Sequence, residues 1–286
     1  MIKEKIKVKY PIKTGYKFID EKGQHRHELN GKPLVGTTTA TKEVLKPPLA
    51  WYGAGKAVEL FGVKDAKVLT KIKNKEATEE EVKTLTKGLT NALGALKELD
   101  LENYQALVDK AYRNHAEYSD IRKEEGNELH DTLEKYVNYC LRKGGTPHME
   151  TFKDERVNTW VKWAVENIEE FLYAECYCYS EKLWLGGKFD LIFKGRDGKT
   201  YLGDYKSAKV SYHENWVQMA LYDTQIMENG VLDKEGNIIG ETPVIDGYAL
   251  FPFGGKILPD YRYNMKDYQK AGEGVVDNYR LINLNS

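Results

Sequence analysis

The feature that most constrains this chain is a change of texture near Tyr173. Upstream the sequence is rich in Lys, Glu, Leu and Ala with apolar residues three or four apart; downstream come short apolar runs separated by turn residues. Residues 174–185 are aromatic and cysteine-rich, Gly187 to Phe193 is an apolar run holding one acid, and Thr200 to Lys206 follows the turn Gly195-Arg196-Asp197-Gly198. Runs of this length bounded by Gly and Asp read as three successive strands. A helical stretch at about His213 to Glu228 and a strand-like one at Val244 to Phe251 follow, and Tyr268 to Leu284 can form a closing helix. The order is helices, then β-β-β-α-β, then helix. It predicts an α/β fold, a central mixed β-sheet flanked by helices, with a helical N-terminal section.

The upstream half carries weaker signals. The first 35 residues alternate Lys with apolar side chains around the turn segments DEKG and NGK, which suits a hairpin. Thr37, Thr38 and Thr39 offer a helix cap, and Lys46-Pro47-Pro48 stops or restarts the chain before short helices expected from Leu49 to Phe61. A longer helix is predicted from about Tyr118 to Arg142. Its apolar stripe holds Ile121, Leu129, Leu133, Val137, Cys140 and Leu141, and Gly144-Gly145 ends it. A further helix is predicted from about Glu155 to Tyr173. With no repeat, low-complexity tract or clear linker, the chain divides into a mostly helical section, residues 1–110, packed on a core of residues 111–286.

Composition removes several function classes. A chain of 286 residues that is 41% hydrophobic can bury a core, which argues against disorder. Forty-three basic against 44 acidic residues exclude the overall basic excess of a histone-like binder. Residues 1–60 nevertheless hold 12 basic and 6 acidic side chains, so a basic surface can lie beside an acidic site. No segment approaches the roughly 18 consecutive apolar residues of a membrane span, and the start, MIKEKIKVKY, lacks the apolar core of a signal peptide. The expected location is the cytoplasm, with no membrane partner. Cys140, Cys176 and Cys178 are one short of a four-cysteine metal site and cannot close a disulfide framework.

The chemistry concentrates after Gly187. In a strand, residues two apart face the same way, so Asp204 and Lys206 share one face and Tyr205 the other. Asp190 lies on the preceding strand, and antiparallel pairing brings its carboxylate toward Asp204. Two carboxylates with no Arg between them repel, and a hard divalent cation, Mg²⁺ or Mn²⁺, relieves that repulsion. Lys206 beside it can stabilise charge on a phosphate or help to orient and deprotonate water. The Asp-x-Lys pattern by itself is unspecific, since it recurs at Asp20 to Lys22, Asp65 to Lys67 and Asp197 to Lys199. Only the copy at Asp204 lies in an apolar strand with a second strand-borne Asp 14 residues upstream; a solvated ion pair on an edge strand remains the plain alternative.

Two further features bear on that choice. Gln218 and Tyr222 are four apart and share one face of the following helix. They read either as polar support for a site or as the border of an amphipathic helix. His130, in Gly126-Asn127-Glu128-Leu129-His130, follows the core position Leu129 and reads as a metal ligand or as a boundary histidine.

Taken in order, Gly126-xxx-His130, Gly187-xx-Asp190, Asp204-Tyr205-Lys206 and Gln218-xxx-Tyr222 resemble the PD-(D/E)XK nuclease superfamily, in particular its RecB-like exonuclease branch. The motifs span residues 111–251, and GTTTATKEVLKPPLAWYGAGKAVEL adds a looser likeness to phage-encoded members. The resemblance implies a restriction-endonuclease-like core. It implies that His130, Asp190, Asp204 and the Tyr205 carbonyl hold one or two Mg²⁺ or Mn²⁺ ions, that Lys206 is catalytic, and that Gln218 and Tyr222 support the site. It further implies a metal-dependent DNA exonuclease of recombination or repair, phage-encoded and working in a bacterial cytoplasm, with DNA and a recombinase or single-strand-binding protein as partners. Ser207 stands where relatives more often carry Thr, and Glu175 stands where they often have an acid, although a surface Glu explains it equally well. The three cysteines exclude the iron-sulfur subgroup. A structure-specific endonuclease using the same site, or a nuclease fold that binds DNA without cutting it, are the alternatives; all six side-chain positions retain competent chemistry, against the second.

Other motifs carry less. Tyr52 to Ala57 lacks the first Gly and the Ser or Thr of a phosphate loop. Cys176 and Cys178 have no second ligand pair at zinc spacing and read as packing residues. Trp51 with Lys42, Lys46 and Lys56 reads as a strand-binding surface or, more simply, as a core tryptophan with solvated lysines.

Overall fold

The structure is a computed structural model, and it describes residues 10–21, 24–43, 71–97 and 101–283. The readings made for Trp51, Lys46, Lys56, the Tyr52 to Ala57 segment and the Leu49 to Phe61 helices lie outside those residues. By contacts between residues the chain groups into Met1–Leu45 with Gly126–Ser286, and Lys46–Glu125. This grouping differs from a division at residue 110, because N-terminal strands pair with strands of the core.

The first unit opens with β1 (Ile12–Lys13), β2 (Tyr16–Glu21), β3 (Gln24–Leu29), β4 (Lys32–Pro33) and β5 (Val35–Gly36). β2 and β3 form the hairpin that the Lys-alternating runs predict, in the register Tyr16↔Leu29 to Glu21↔Gln24. Tyr16, Phe18 and Leu29 are the buried side of its alternation. The short helix α1 (Thr37–Ala40) follows. Its N-cap is Gly36 and no side chain caps it, so the threonines begin the helix instead of capping it.

The Lys46–Glu125 unit includes α2 (Glu79–Lys97), whose first turn is acidic at Glu79, Glu80 and Glu81, as the exposed amides of a helix start favour. Helix α3 (Leu101–Arg142) begins 17 residues before the predicted Tyr118 and runs unbroken for 42 residues. Its C-terminal part carries the expected stripe, with Leu129, Leu133, Val137 and Cys140 buried, whereas Ile121 is 55% exposed. Helix α4 (Glu155–Asn167) is capped by Asp154, whose side chain accepts the Arg156 amide at 2.9 Å.

α4 stops at Asn167, six residues short of the predicted Tyr173. Residues 168–173 open β6 (Ile168–Ser180), and Ile168 and Phe171 pair with Gly195 and Phe193 of β7 (Leu185–Gly195). The spacing of Ile168, Phe171 and Leu172 also fits a helix face; tertiary pairing decides between the two periods. β7 is antiparallel to β8 (Thr200–Lys206) across the Gly195–Gly198 turn. Helix α5 (His213–Asn229) then crosses to β10 (Gly247–Pro252), parallel to β8, after the short β9 (Asn237–Ile238). β11 (Asp260–Arg262) and α6 (Met265–Asn283) complete the chain.

Among the described residues the main sheet holds six strands in the order β11-β10-β8-β7-β5, with β6 on β7 as well. It is a mixed sheet with helices packed on both faces, the α/β fold the sequence predicts. On one face Leu133, Val137 and Cys140 of α3 and Trp160, Val161 and Ala164 of α4 pack on Phe171, Leu191, Phe193 and Tyr205. On the other, Trp216, Met219, Ala220 and Ile226 of α5 cover Cys178, Phe189, Ile192 and Leu202. Both faces are dry, which accounts for the near-continuous burial of β7 and β8.

β7 is paired with β6 on one side from Leu185 to Gly195, with no register partner at Asp190. On the other side β8 pairs with residues 191–194 and β5 with residues 185 and 186. Between them, among the described residues, β7 has no strand partner on that side. The sheet forks at Asp190. No helix of the described residues is long and apolar enough to cross a membrane.

Candidate active site

The fork explains why polar chemistry collects here. The register Leu191↔Gly203 puts Asp190 and Asp204 at the next facing step, where the ladder ends. The Tyr205 amide there donates to the Asp190 carboxylate, at 2.7 Å from Oδ2. A side chain has taken over a hydrogen bond that a strand would otherwise supply. Tyr205 itself turns its ring to the opposite face, against Trp160 and Phe251.

Asp204 is almost fully buried, and its Oδ1 accepts from Lys206 Nζ at 3.0 Å. Oδ2 lies 2.7 Å from the same ammonium but makes no hydrogen bond, leaving a buried anionic oxygen with unused capacity. Burial, with the charge of Asp190, pushes the Asp204 carboxyl up to about 6 against the opposing pull of Lys206. For Lys206, burial works against the charge, but Asp204 and Asp190 outweigh it and its pKa lies above the ordinary value. The ammonium stays charged, and its side chain is 24% exposed.

His130 comes from α3. Its Nε2 lies 3.0 Å from the Tyr205 carbonyl and its Nδ1 3.7 Å from Asp190 Oδ2. Since a carbonyl only accepts, Nε2 carries the proton in this arrangement. Gly126, one turn earlier, is not demanded by space. A Cβ there would meet Ser207 Oγ at 3.6 Å, an ordinary contact.

Glu175 is the residue to which sequence reasoning gave least weight. It lies on β6 between the pairs Ala174↔Leu191 and Cys176↔Phe189, hence across from Asp190. Its backbone is left-handed, φ 52°, a conformation costing about 1–3 kcal/mol in a non-glycine residue. The carboxylate forms an ion pair with Lys188. Burial, then the charge of Asp190, pushes its carboxyl up to about 7, with Lys188 pulling the other way. His130, Glu175 and Asp190 each offer a ligand atom, all within 4.8 Å of one another, and all three side chains are half-buried.

This donor set fits a hard divalent cation. One imidazole nitrogen, carboxylate oxygens and a carbonyl are acceptable to Mg²⁺ or Mn²⁺. The charge of Asp190 helps to raise the carboxyls of both Glu175 and Asp204. Asp204 is not one of the three residues whose ligand atoms lie together; its nearest charge is Lys206.

Gln218 and Tyr222 do meet on one face of α5, where Gln218 Nε2 donates to the Tyr222 hydroxyl at 2.7 Å. Burial holds the Tyr222 phenol well above its usual pKa, so it stays neutral. Its ring lies on Gly187, where a Cβ would fall 2.5 Å from Tyr222 Cε1 and 2.9 Å from Thr37 Oγ1. The glycine is what lets the α5 tyrosine and α1 reach the strand. Among the described residues all seven predicted site positions therefore belong to one neighbourhood, and Glu175 joins them. No protein-family model matches this chain, and no curated protein matches it either.

Proposed function

We propose that this chain is a metal-dependent deoxyribonuclease of the PD-(D/E)XK type, hydrolysing phosphodiester bonds from DNA ends in recombination or repair in a bacterial cytoplasm. The observation that carries the reading is the convergence of His130, Glu175 and Asp190 at the fork of the sheet, beside the Lys206–Asp204 pair. These residues, with the Tyr205 carbonyl and Asp204, would hold Mg²⁺ or Mn²⁺. When bound, the ion supplies Lewis acidity toward a phosphate group.

The chain's own residues do the rest. Asp204 keeps Lys206 Nζ at the exposed edge of the strand, where the fixed ammonium offsets charge developing on the phosphate oxygens. Asp190 is oriented by the Tyr205 amide, which donates to its Oδ2. Gln218 fixes the Tyr222 hydroxyl, and the Tyr222 ring packs on Gly187, setting the floor of the site. The long α3 and the +6 excess of residues 1–60 suit a protein that handles a strand end.

Labelled linear DNA incubated with Mg²⁺ or Mn²⁺ tests the reading. Cleavage is expected, with none in excess EDTA and none by Asp190→Asn. Undiminished cleavage in chelator, or by that variant, overturns it.

A further inference from the structure

A cavity of about 300 Å³ opens beside the candidate active site, at the small end of the range for small-molecule sites. Its lining residues come from the β2–β3 hairpin, α1, β6, β7 and α5, and include Gly187, Lys188 and Tyr222. Gly187 and Tyr222 belong to the motifs, while the hairpin and α1 residues of the lining do not.

The walls select a class of ligand. Phe18, Tyr177, His25 and His27 form a connected aromatic group: Phe18 lies 4.8 Å from Tyr177, 5.0 Å from His27 and 6.0 Å from His25, centroid to centroid. Flat surfaces of this kind receive flat rings. Hydrogen-bonding groups sit among them, namely the exposed Thr38 hydroxyl, the imidazoles and the Asp20 carboxylate.

Charge argues against an anion. Among the described lining residues the one Lys, Lys188, is ion-paired with Glu175, and Asp20 lies 3.4 Å from His25. His27 is pushed down to about 4 by burial and by His25, so it is a neutral imidazole at working pH, held by the Tyr16 hydroxyl at 2.7 Å. Among the described lining residues the positive groups thus lie against carboxylates. The ligand should be neutral, aromatic and edged with donors and acceptors.

Position supplies the rest. Lys188 and Asp190 are two apart on β7 and face the same way, about 7 Å from one another along the strand. Tyr222 lines the cavity while its hydroxyl is held by Gln218. The cavity and the group formed by His130, Glu175 and Asp190 therefore adjoin along the Lys188 to Asp190 stretch of β7.

We infer that this cavity is a nucleobase pocket, which seats the base of the nucleotide adjoining the scissile phosphate. The part of this inference that concerns DNA rests on the nuclease reading; the part that concerns the free base does not.

The test has two arms with the full-length protein. In the first, EDTA is present and calorimetric titration compares deoxyadenosine, 2′-deoxyadenosine 5′-monophosphate and 2-deoxyribose 5-phosphate. The two compounds with a base should bind at least about tenfold more tightly than the one without, the scale of one base stacked on aromatic side chains. Thr38→Trp, which narrows the cavity from an exposed position, should abolish that difference. The wild-type comparison stands even if that variant does not fold. In the second arm, Mg²⁺-dependent cleavage is compared on DNA with an intact or an abasic terminal nucleotide, with about tenfold slower release expected from the abasic end.

Base-containing ligands binding no better than the sugar phosphate would overturn the pocket. Equal cleavage of intact and abasic ends would do the same while leaving the nuclease reading intact. Deoxyadenosine binding with no DNA cleavage would uphold the pocket and sink the nuclease reading.

Discussion

Glu175→Gln separates stability from function at this site, and the structure sets its size. A carboxyl held at about 7 when folded, against an ordinary value of 4.5, binds its proton more tightly in the folded chain than in the unfolded one. Ionising it therefore costs folding free energy. Stability should fall as pH rises from about 4.5 through about 7, by up to about 3 kcal/mol for this group. Gln keeps the shape and removes the ionisation, and the attraction of Lys188 is already contained in the value of about 7. A net stabilisation of about 3 kcal/mol at most at pH 8 in EDTA follows, with little gain at pH 4.5, where folded wild-type Glu175 is protonated too. Urea unfolding at the two pH values measures this directly. Repeating the melts with Mn²⁺ gives the functional half: the wild type should gain thermal stability from the metal and the variant should gain little. A variant with the wild-type pH slope and the wild-type metal shift would refute the placement of Glu175 among the ligands.

Other expectations follow from the same geometry. Lys206→Ala should cut turnover by about two orders of magnitude or more while leaving metal and DNA binding in place, since the ammonium acts on transition-state charge; near wild-type turnover would reduce Lys206 to a partner for Asp204. His130→Ala should raise the Mn²⁺ concentration for half-maximal activity, and an unchanged requirement would leave His130 as a boundary histidine bonded to the Tyr205 carbonyl. Gly187→Ala should destabilise by about 1–3 kcal/mol, because its Cβ would meet the Tyr222 ring at 2.5 Å; an unfolding midpoint equal to wild type would show that α5 yields freely.

The segment from β7 to α5 is the most legible part of the chain. Its elements are local, joined by the Gly195–Gly198 turn, and two-residue and four-residue spacings alone place Asp204 with Lys206 and Gln218 with Tyr222. Where pairing partners are remote in sequence the reading weakens. Residues 168–173 satisfy helical and strand periods alike, and only β7 decides between them. The gap in pairing at Asp190 depends on β5, some 150 residues upstream, which no local pattern announces. Glu175 looks like a surface acid in sequence because alternation presumes extended backbone. Its left-handed φ breaks that rule and turns the carboxylate to Lys188. Residues Leu101 to Tyr118 read as helical too, with Tyr104, Leu107 and Val108 at helical spacing; what the local pattern does not announce is that they join the Tyr118 to Arg142 helix without a break.

The most direct test of the central claim sets end-labelled linear DNA beside covalently closed circular DNA of the same sequence, each with Mg²⁺ and with Mg²⁺ plus excess EDTA. The account predicts mononucleotides or short products from the linear DNA, an intact circle, and no products in EDTA. Linear DNA that survives every metal condition, or products that persist in chelator, would contradict it.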